Sequence, residues 1–271
     1  MSTLYNSLSS HTDSFFLIAG PCAVENESIT LEIAEELKLI CEELDIPLVF
    51  KASFKKANRT NVQSFSGIGD DEALEILAKL KKELDLFITT DIHESKDAEM
   101  VASVVDIIQI PAFLCRQTEL LLAASRTERI VNVKKGQFMS GQSMSFAAEK
   151  VKSTGNHQVL LTERGNSFGY EDLVVDMRNI AVMQENKCPV VLDCTHANQK
   201  PNQSSGVTNG TSQFIELLAK AGIASGADGL FIETHPNPSS ALSDGSNMLE
   251  LSEMRPLLKK LIAIKRALTN A

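Results

Sequence analysis

The 271-residue chain has no tryptophan and two tyrosines, an absence that by itself excludes no function. Positive charge is in deficit too. The 26 Lys and Arg against 35 Asp and Glu leave a net charge of −9, which argues against general nucleic-acid binding and means that an anionic ligand must be drawn in by a local cationic pocket. Five cysteines, Cys22, Cys41, Cys115, Cys188 and Cys194, form no CxxC pair. Such an odd, irregular set predicts reduced thiols and a cytoplasmic setting. No apolar run reaches the ~18 residues of a membrane span. The N-terminal stretch has no basic region and only a short apolar run, so no cleaved signal peptide is expected. LIAGPC resembles a lipoprotein box, but Pro21 interrupts it and the charged start is missing. No Gly-rich dinucleotide fingerprint follows the first strand-like run. With no internal repeat, low-complexity tract or linker, residues 1–271 read as one domain.

What is present is alternation. Short apolar runs read as strands at Phe15–Gly20, Leu48–Ala52, Leu86–Thr90, Ile107–Ile110, Ile130–Lys134, Gln158–Thr162, Val190–Asp193 and Gly229–Glu233. Continuous apolarity is what parallel strands covered on both faces require. Amphipathic segments follow at Ile29–Leu44, Asp70–Leu84, Ser95–Ser103, Thr118–Thr127, Ser143–Lys152, Tyr170–Gln184, Gln213–Ser225 and Met248–Leu268. The second is read as opening on an Asp N-cap pair. Eight strands alternating with eight helices in a chain of this length predict an α/β fold, a (β/α)8 TIM barrel, over a doubly wound open sheet. The polar stretch Asn198–Ser212 reads as a long functional loop after the seventh strand.

In such a barrel the chemistry lies at the C-terminal strand ends. FKASFKKANRT at the end of strand two packs Lys51, Lys55, Lys56 and Arg59 into nine residues of an acidic protein. The choice is between a solvated basic loop and an anion site. Arg116, Lys134 and Arg164 at strand ends four, five and six favour the site, because several cations converging on one mouth match a phosphate or carboxylate ligand. A second set, Cys22, His196, Glu233 and Asp244, comes from strand ends one, seven and eight, which are neighbours when the barrel closes. Its mixed sulfur, nitrogen and oxygen donors suit a divalent Zn, Fe, Mn or Co ion. From the residues alone Cys22 could equally be a small buried side chain and Asp244 a turn former.

Together KASFKKANRT, TDIHE, IIQIPAFLCRQT, NVKKGQF, ERGNSFGY, VVLDCTHA and LFIETHPNPSSALSDG resemble the 3-deoxy-D-manno-octulosonate 8-phosphate synthase family, from about Phe15 to Leu268. The resemblance implies a TIM barrel, usually homotetrameric. It also implies condensation of phosphoenolpyruvate with D-arabinose 5-phosphate for the lipopolysaccharide inner core, with no nucleic-acid or membrane partner. By motif, Lys51, Lys56, Arg116, Lys134 and Arg164 would hold phosphoenolpyruvate. Asn58, Arg59 and Thr60 would meet the pentose phosphate, Arg59 reaching a neighbouring subunit's site. Asp91, Gln117 and Gln137 would border the substrates. Lys56, Lys134, His196 and Asp244 would carry the catalysis. The metal-dependent class of the family has Cys in the first-strand motif, where the other class has Asn. Cys22 therefore implies a divalent metal, held also by His196, Glu233 and Asp244.

Three positions depart from the pattern. Thr60 stands where Ser is common, Gly136 stands where KKPQF has Pro, which implies a looser turn, and residues 198–212 lack a Gly-Gly-rich pattern. A related synthase acting on erythrose 4-phosphate usually reads KPRT where this chain has KANRT. A non-catalytic sugar-phosphate sensor would keep the cations without needing the metal set.

Overall fold

The structure is a computed structural model that describes residues 2–9, 14–59, 61–168, 173–200, 209–210 (backbone only) and 212–269. Among the described residues, eight parallel strands pair in chain order: β1 (Phe16–Gly20), β2 (Leu48–Lys51), β3 (Phe87–Asp91), β4 (Ile107–Ile110), β5 (Ile130–Lys134), β6 (Val159–Glu163), β7 (Val190–Asp193) and β8 (Gly229–His235). β8 pairs back onto β1, Phe16 opposite Gly229 through Gly20 opposite Glu233, and the sheet closes into the expected barrel. The helices α1 (Glu27–Leu44), α2 (Asp70–Leu84), α3 (Asp97–Ala102), α4 (Thr118–Arg126), α5 (Met144–Lys152), α6 (Arg178–Gln184), α7 (Ile215–Ala224) and α8 (Leu251–Thr269) follow their strands.

Strand side chains alternate between two buried layers. Leu17, Phe50, Ile88, Ile108, Val131, Leu161, Leu192 and Leu230 face outward and pack under the helices. Ile18, Val49, Ile107, Ile130, Leu160, Val191 and Phe231 face inward. This two-sided burial explains why the strands read as unbroken apolar runs. The inward layer is closed from below by a helix that the sequence reading missed, Thr3–Ser9, whose Leu4, Tyr5 and Leu8 join it. One short turn pair of apolar residues is too brief to give a helical period.

Three further expectations need correction. The pair Asp70 and Asp71 forms the first turn of α2, and the capping position is Gly69, with no side-chain cap; the two acids instead favour the helix dipole. Of the helix expected over Tyr170–Gln184, residues 170–172 lie outside the described residues, and among those described it starts at Arg178, because Leu173–Val174 pairs with Asn166–Ser167 as a small antiparallel ribbon. β8 also runs two residues past its expected end. In the loop expected over Asn198–Ser212, Gln199–Lys200 pairs with Asn209–Gly210, and residues 201–208 and 211 lie outside the described residues.

Gly20 sets the exit of β1. Its φ is +154°, and a Cβ there would lie 2.0 Å from the Lys51 carbonyl oxygen. The close approach turns the chain toward β2 and brings Cys22 over the barrel mouth, where its carbonyl accepts from Lys51 Nζ at 2.9 Å. Gly20→Ala is expected to cost ~3 kcal/mol or more in urea unfolding, since both the clash and the backbone strain must be relieved.

Candidate active site

Strand periodicity assembles the floor of a cleft at the C-terminal mouth. Lys51, Asp91, Gln109, Lys134, Asp193 and Glu233 share the inward-facing parity of Val49, Ile107, Ile130, Val191 and Phe231 and are all buried. The barrel is thus apolar below and ionic above. Lys51 Nζ donates to Glu233 Oε1 at 2.6 Å, and Lys134 Nζ to Asp193 Oδ2 at 2.5 Å. Both ammonium groups lie over the Phe231 ring, 5.5 and 3.4 Å from its centroid. Asp193 also takes His196 Nδ1 at 2.8 Å, leaving His196 Nε2 turned to Glu233 Oε1 at 3.6 Å.

Above this floor the loops supply the walls. From the expected set, Lys51, Lys56, Asn58, Arg59, Asp91, Lys134, Gln137, Arg164, His196 and Asp244 line one cleft. Lys56 makes no ion pair among the described residues. The Nη1 of Arg164 and Nε of Arg59 are buried without partners. These are open donors for an anion, whereas Lys51 and Lys134 already neutralise carboxylates. Lys55, part of the same cluster in sequence, turns away to bridge Asp70 and Asp97 at 3.2 and 3.0 Å. It pins the loop to α2 and α3.

Electrostatics keep the floor charged. Burial raises Asp193, but His196 and Lys134 outweigh it and hold the carboxyl well below the usual range. Burial likewise raises Asp91, and His93 with Lys56 and Lys51 brings it far down. Glu233 is held at about 2, burial being overcome by Lys51, His196 and Lys56. Burial works against the Lys56 ammonium, yet the Cys22, Glu233, Asp91 and Asp244 around it raise it. Lys134 is lowered by burial, with Asp193 opposing.

Cys22 Sγ, one Glu233 oxygen and one Asp244 oxygen all lie within 4.8 Å of one another. Glu233 Oε2 is buried with no hydrogen-bond partner, which suits a group that awaits a cation. Burial pushes the Cys22 thiol up to about 12, Glu233 adding to the rise. It sits 3.1 Å from Ser243 Oγ and 3.6 Å from Asp244 Oδ2. Asp244 is also a turn former, at φ +51°, and its place in a turn is compatible with its place in this group of donors. The sulfur and two carboxylate donors of this trio suit a divalent ion, while His196 approaches it only through Nε2, 3.6 Å from Glu233 Oε1, and is not within the 4.8 Å grouping.

Other placements differ from expectation. Arg116 and Gln117 are exposed and lie outside the cleft. The short turn Ala112–Leu114 after Pro111 buries Cys115 and swings the next two residues outward. Phe113 and the inward-facing Gln109 line the cleft from this segment instead. Within the single chain Arg59 lines the cleft, Nη2 donating to Ser243 Oγ at 2.7 Å and Nη1 lying 3.9 Å from Asp244. Thr60 lies outside the described residues. Sequence reasoning missed Asp193, His93, Gln109 and Gln199. Strand parity could have found the first and third. Gln199 could not be read so, for it bridges Arg164 Nη2 at 2.7 Å and Asp244 Oδ2 at 3.4 Å only after folding. A wider crevice at the opposite barrel end, lined by Tyr5, Lys152, Gln184, Cys188 and Asp228, has no buried unpartnered polar atom among the described residues.

Residues 6–269 match the DAHP synthetase I family. The chain is 53% identical over 248 residues to a 2-dehydro-3-deoxyphosphooctonate aldolase of Syntrophotalea carbinolica, covering 92% of this chain and 90% of that protein. It is 50% identical over 256 residues to one of Acidithiobacillus ferrooxidans, covering 94% and 91%. It is also 50% identical over 248 residues to one of Geobacter sulfurreducens, covering 92% and 91%.

Two measurements check the electrostatics. Asp193 is depressed in the folded state, so its contribution is complete above its unfolded pKa of ~4 and fades as pH falls below that. The stability gap between wild type and Asp193→Asn should therefore narrow by ~1 kcal/mol from pH 7 to pH 3 in urea titrations. A metal must displace the Cys22 proton, so Mn or Zn affinity should rise ~10-fold per pH unit through the neutral range, and Cys22→Ser should lose that slope.

Proposed function

The chain belongs to the DAHP synthetase I family, in company with its 2-dehydro-3-deoxyphosphooctonate aldolases, and from that premise we propose the following reaction. The protein, a single catalytic domain over residues 1–271, condenses phosphoenolpyruvate with D-arabinose 5-phosphate and water. The products are 3-deoxy-D-manno-octulosonate 8-phosphate, a precursor of the lipopolysaccharide inner core, and inorganic phosphate. The observation that carries this reading is the cleft itself. Unpaired cationic donors on Lys56, Arg59 and Arg164 share a cleft with Asp244, whose carboxylate lies within 4.8 Å of the Cys22 and Glu233 donors buried beside it.

The chemistry forms one carbon–carbon bond and one carbon–oxygen bond, the latter from water, and breaks the carbon–oxygen bond to phosphate. C3 of phosphoenolpyruvate attacks the aldehyde of the open-chain sugar, water adds at C2, and phosphate leaves with the C2–O bond electrons. Lys56 and Arg164 hold the two anionic ends of phosphoenolpyruvate, with Lys51 and Lys134 completing its field from the floor. Asn58, Arg59 and Thr60 meet the pentose phosphate, and Asp91 and Gln137 border the substrates. Catalysis is then mainly positioning and charge stabilisation by groups already ordered. Lys134, held by Asp193 at 2.5 Å and by the Phe231 ring, is better suited to stabilise developing negative charge than to form a Schiff base. His196 has Nδ1 committed to Asp193, which leaves Nε2 for the metal side. Cys22, His196, Glu233 and Asp244 would hold a divalent Zn, Fe, Mn or Co ion. When bound, that ion supplies a Lewis acid to orient or polarise the aldehyde or the attacking water. Arg116 and Gln117 have no part in their own chain's cleft. We place the enzyme in the cytoplasm as a homotetramer on the family resemblance.

Asn58 in KANRT and the names of the relatives favour the five-carbon acceptor over erythrose 4-phosphate. The test is phosphate release from phosphoenolpyruvate with each sugar, with and without a chelator. Release with arabinose 5-phosphate alone, lost on chelation and restored by Mn or Zn, is the expected result. Cys22→Ser should lower that activity ~100-fold. Release that survives thorough chelation would remove the metal from the mechanism, and no release with either sugar would leave an anion-binding barrel.

A further inference from the structure

Lys135 follows a residue of the cleft but points away from it. It is fully buried, and its Nζ reaches only oxygens. Asn166 Oδ1 lies at 2.7 Å, the Met139 and Gly165 carbonyls at 3.2 and 3.3 Å, and the Gly136 carbonyl at 3.4 Å. Glu163 Oε1 is 3.3 Å away. Glu163 is equally buried and is bonded on every side. Its Oε1 accepts from the backbone N–H groups of Arg164 and Gly165 at 2.9 and 2.6 Å, and its Oε2 from Asn179 Nδ2 at 2.9 Å. Asn166 closes the circuit by donating to the Gln137 and Met139 carbonyls at 3.1 and 2.7 Å. None of Lys135, Glu163, Asn166 and Asn179 lines the cleft.

The circuit joins the two segments that do. Lys134 ends β5 and Gln137 lies in the turn after it, and the exit of β6 carries Arg164. Gly136 lies in that turn and brings no side chain to stiffen it. Gly165, at φ +87°, releases the chain immediately after Arg164. Backbone bonds join the two exits, Lys135 N–H to the Thr162 carbonyl at 2.8 Å and Ser167 N–H to the Gln137 carbonyl at 3.0 Å, but they fix the main chain and leave the side-chain spacing that anion recognition requires to a further restraint. Ion pairs this deeply buried contribute little net stability against an apolar replacement, so energy alone does not explain the pair.

We propose that the Lys135–Glu163 pair is a positioning device: it locks the β5 and β6 exits together and so sets the spacing of Lys134, Gln137 and Arg164 around one anionic end of phosphoenolpyruvate. The inference rests on the reaction proposed above for the identity of that anion. It assigns the pair no contact with substrate.

The test is the double variant Lys135→Met/Glu163→Gln, which removes the pair without stranding a buried charge. Asn166→Ala, a partly exposed site, serves as the milder second variant. Wild type and variants are compared by steady-state kinetics, by calorimetric binding of phosphoenolpyruvate and by Mn titration. In the double variant KM and Kd for phosphoenolpyruvate should rise ~10-fold or more, while KM for arabinose 5-phosphate and Mn affinity stay within ~2-fold. Asn166→Ala should raise the phosphoenolpyruvate constants ~3-fold, and less than additively when combined with the double variant. The proposal is overturned if phosphoenolpyruvate binding stays within ~2-fold of wild type, or if pentose, metal and phosphoenolpyruvate affinities fall together as general loosening would make them. Should the double variant not fold, an unchanged phosphoenolpyruvate Kd in Asn166→Ala overturns it. Failure of the proposed reaction would appear in the wild type, as binding without turnover, and leaves the calorimetric comparison intact.

Discussion

The buried charge pairs at the barrel mouth, Lys51 with Glu233 and Lys134 with Asp193, govern what the rest of the cleft can do. A lone ammonium or carboxylate at that depth would cost several kcal/mol of desolvation. Each therefore needs its partner, and the Phe231 ring beneath both lysines adds attraction from below. The result is a nearly neutral floor that stays ionised, with Glu233 held at about 2. Binding capacity is thereby pushed upward onto Lys56, which makes no ion pair among the described residues, and onto the unpartnered Nε of Arg59 and Nη1 of Arg164.

Barrel closure sorts this capacity into two sides. β1 and β8 are hydrogen-bonded neighbours, and they bring Cys22, Glu233 and the Asp244 turn together as a cation side. β5 and β6 are neighbours on another arc and carry Lys134 and Arg164 as an anion side. Gln199 spans the two by contacting both Arg164 and Asp244. A reaction that joins an enol phosphate to an aldehyde needs this division, because charge on one reactant must be held while the other is polarised.

The loops are tied down in different ways according to what they carry. Lys55 anchors the β2 loop to α2 and α3 by ion pairs outside the cleft. Lys135 and Glu163 do the same for β5 and β6 out of reach of solvent. Lys55 reads in sequence as one more ligand for an anion, yet its ammonium is spent on Asp70 and Asp97.

Much of the fold was legible from the chain alone. Apolar runs covered on both faces announce parallel strands wherever they occur, and those eight runs and most of the helices match the structure to within a few residues. The Thr3–Ser9 plug and the Leu173–Val174 ribbon were hidden because short elements owe their existence to the surfaces they cover, not to their own periodicity. The amino-acid sequence by itself determined the residue types that collect at strand ends, and hence the presence of a cationic mouth and of Cys22, His196, Glu233 and Asp244 near one another. Only the tertiary structure decided which cations are spent on carboxylates, that Arg116 and Gln117 face outward, and that Asp193 and Gln199 belong to the site. Those outcomes depend on strand register and on which buried charge finds which partner, and neither is encoded in the spacing of residues along the chain.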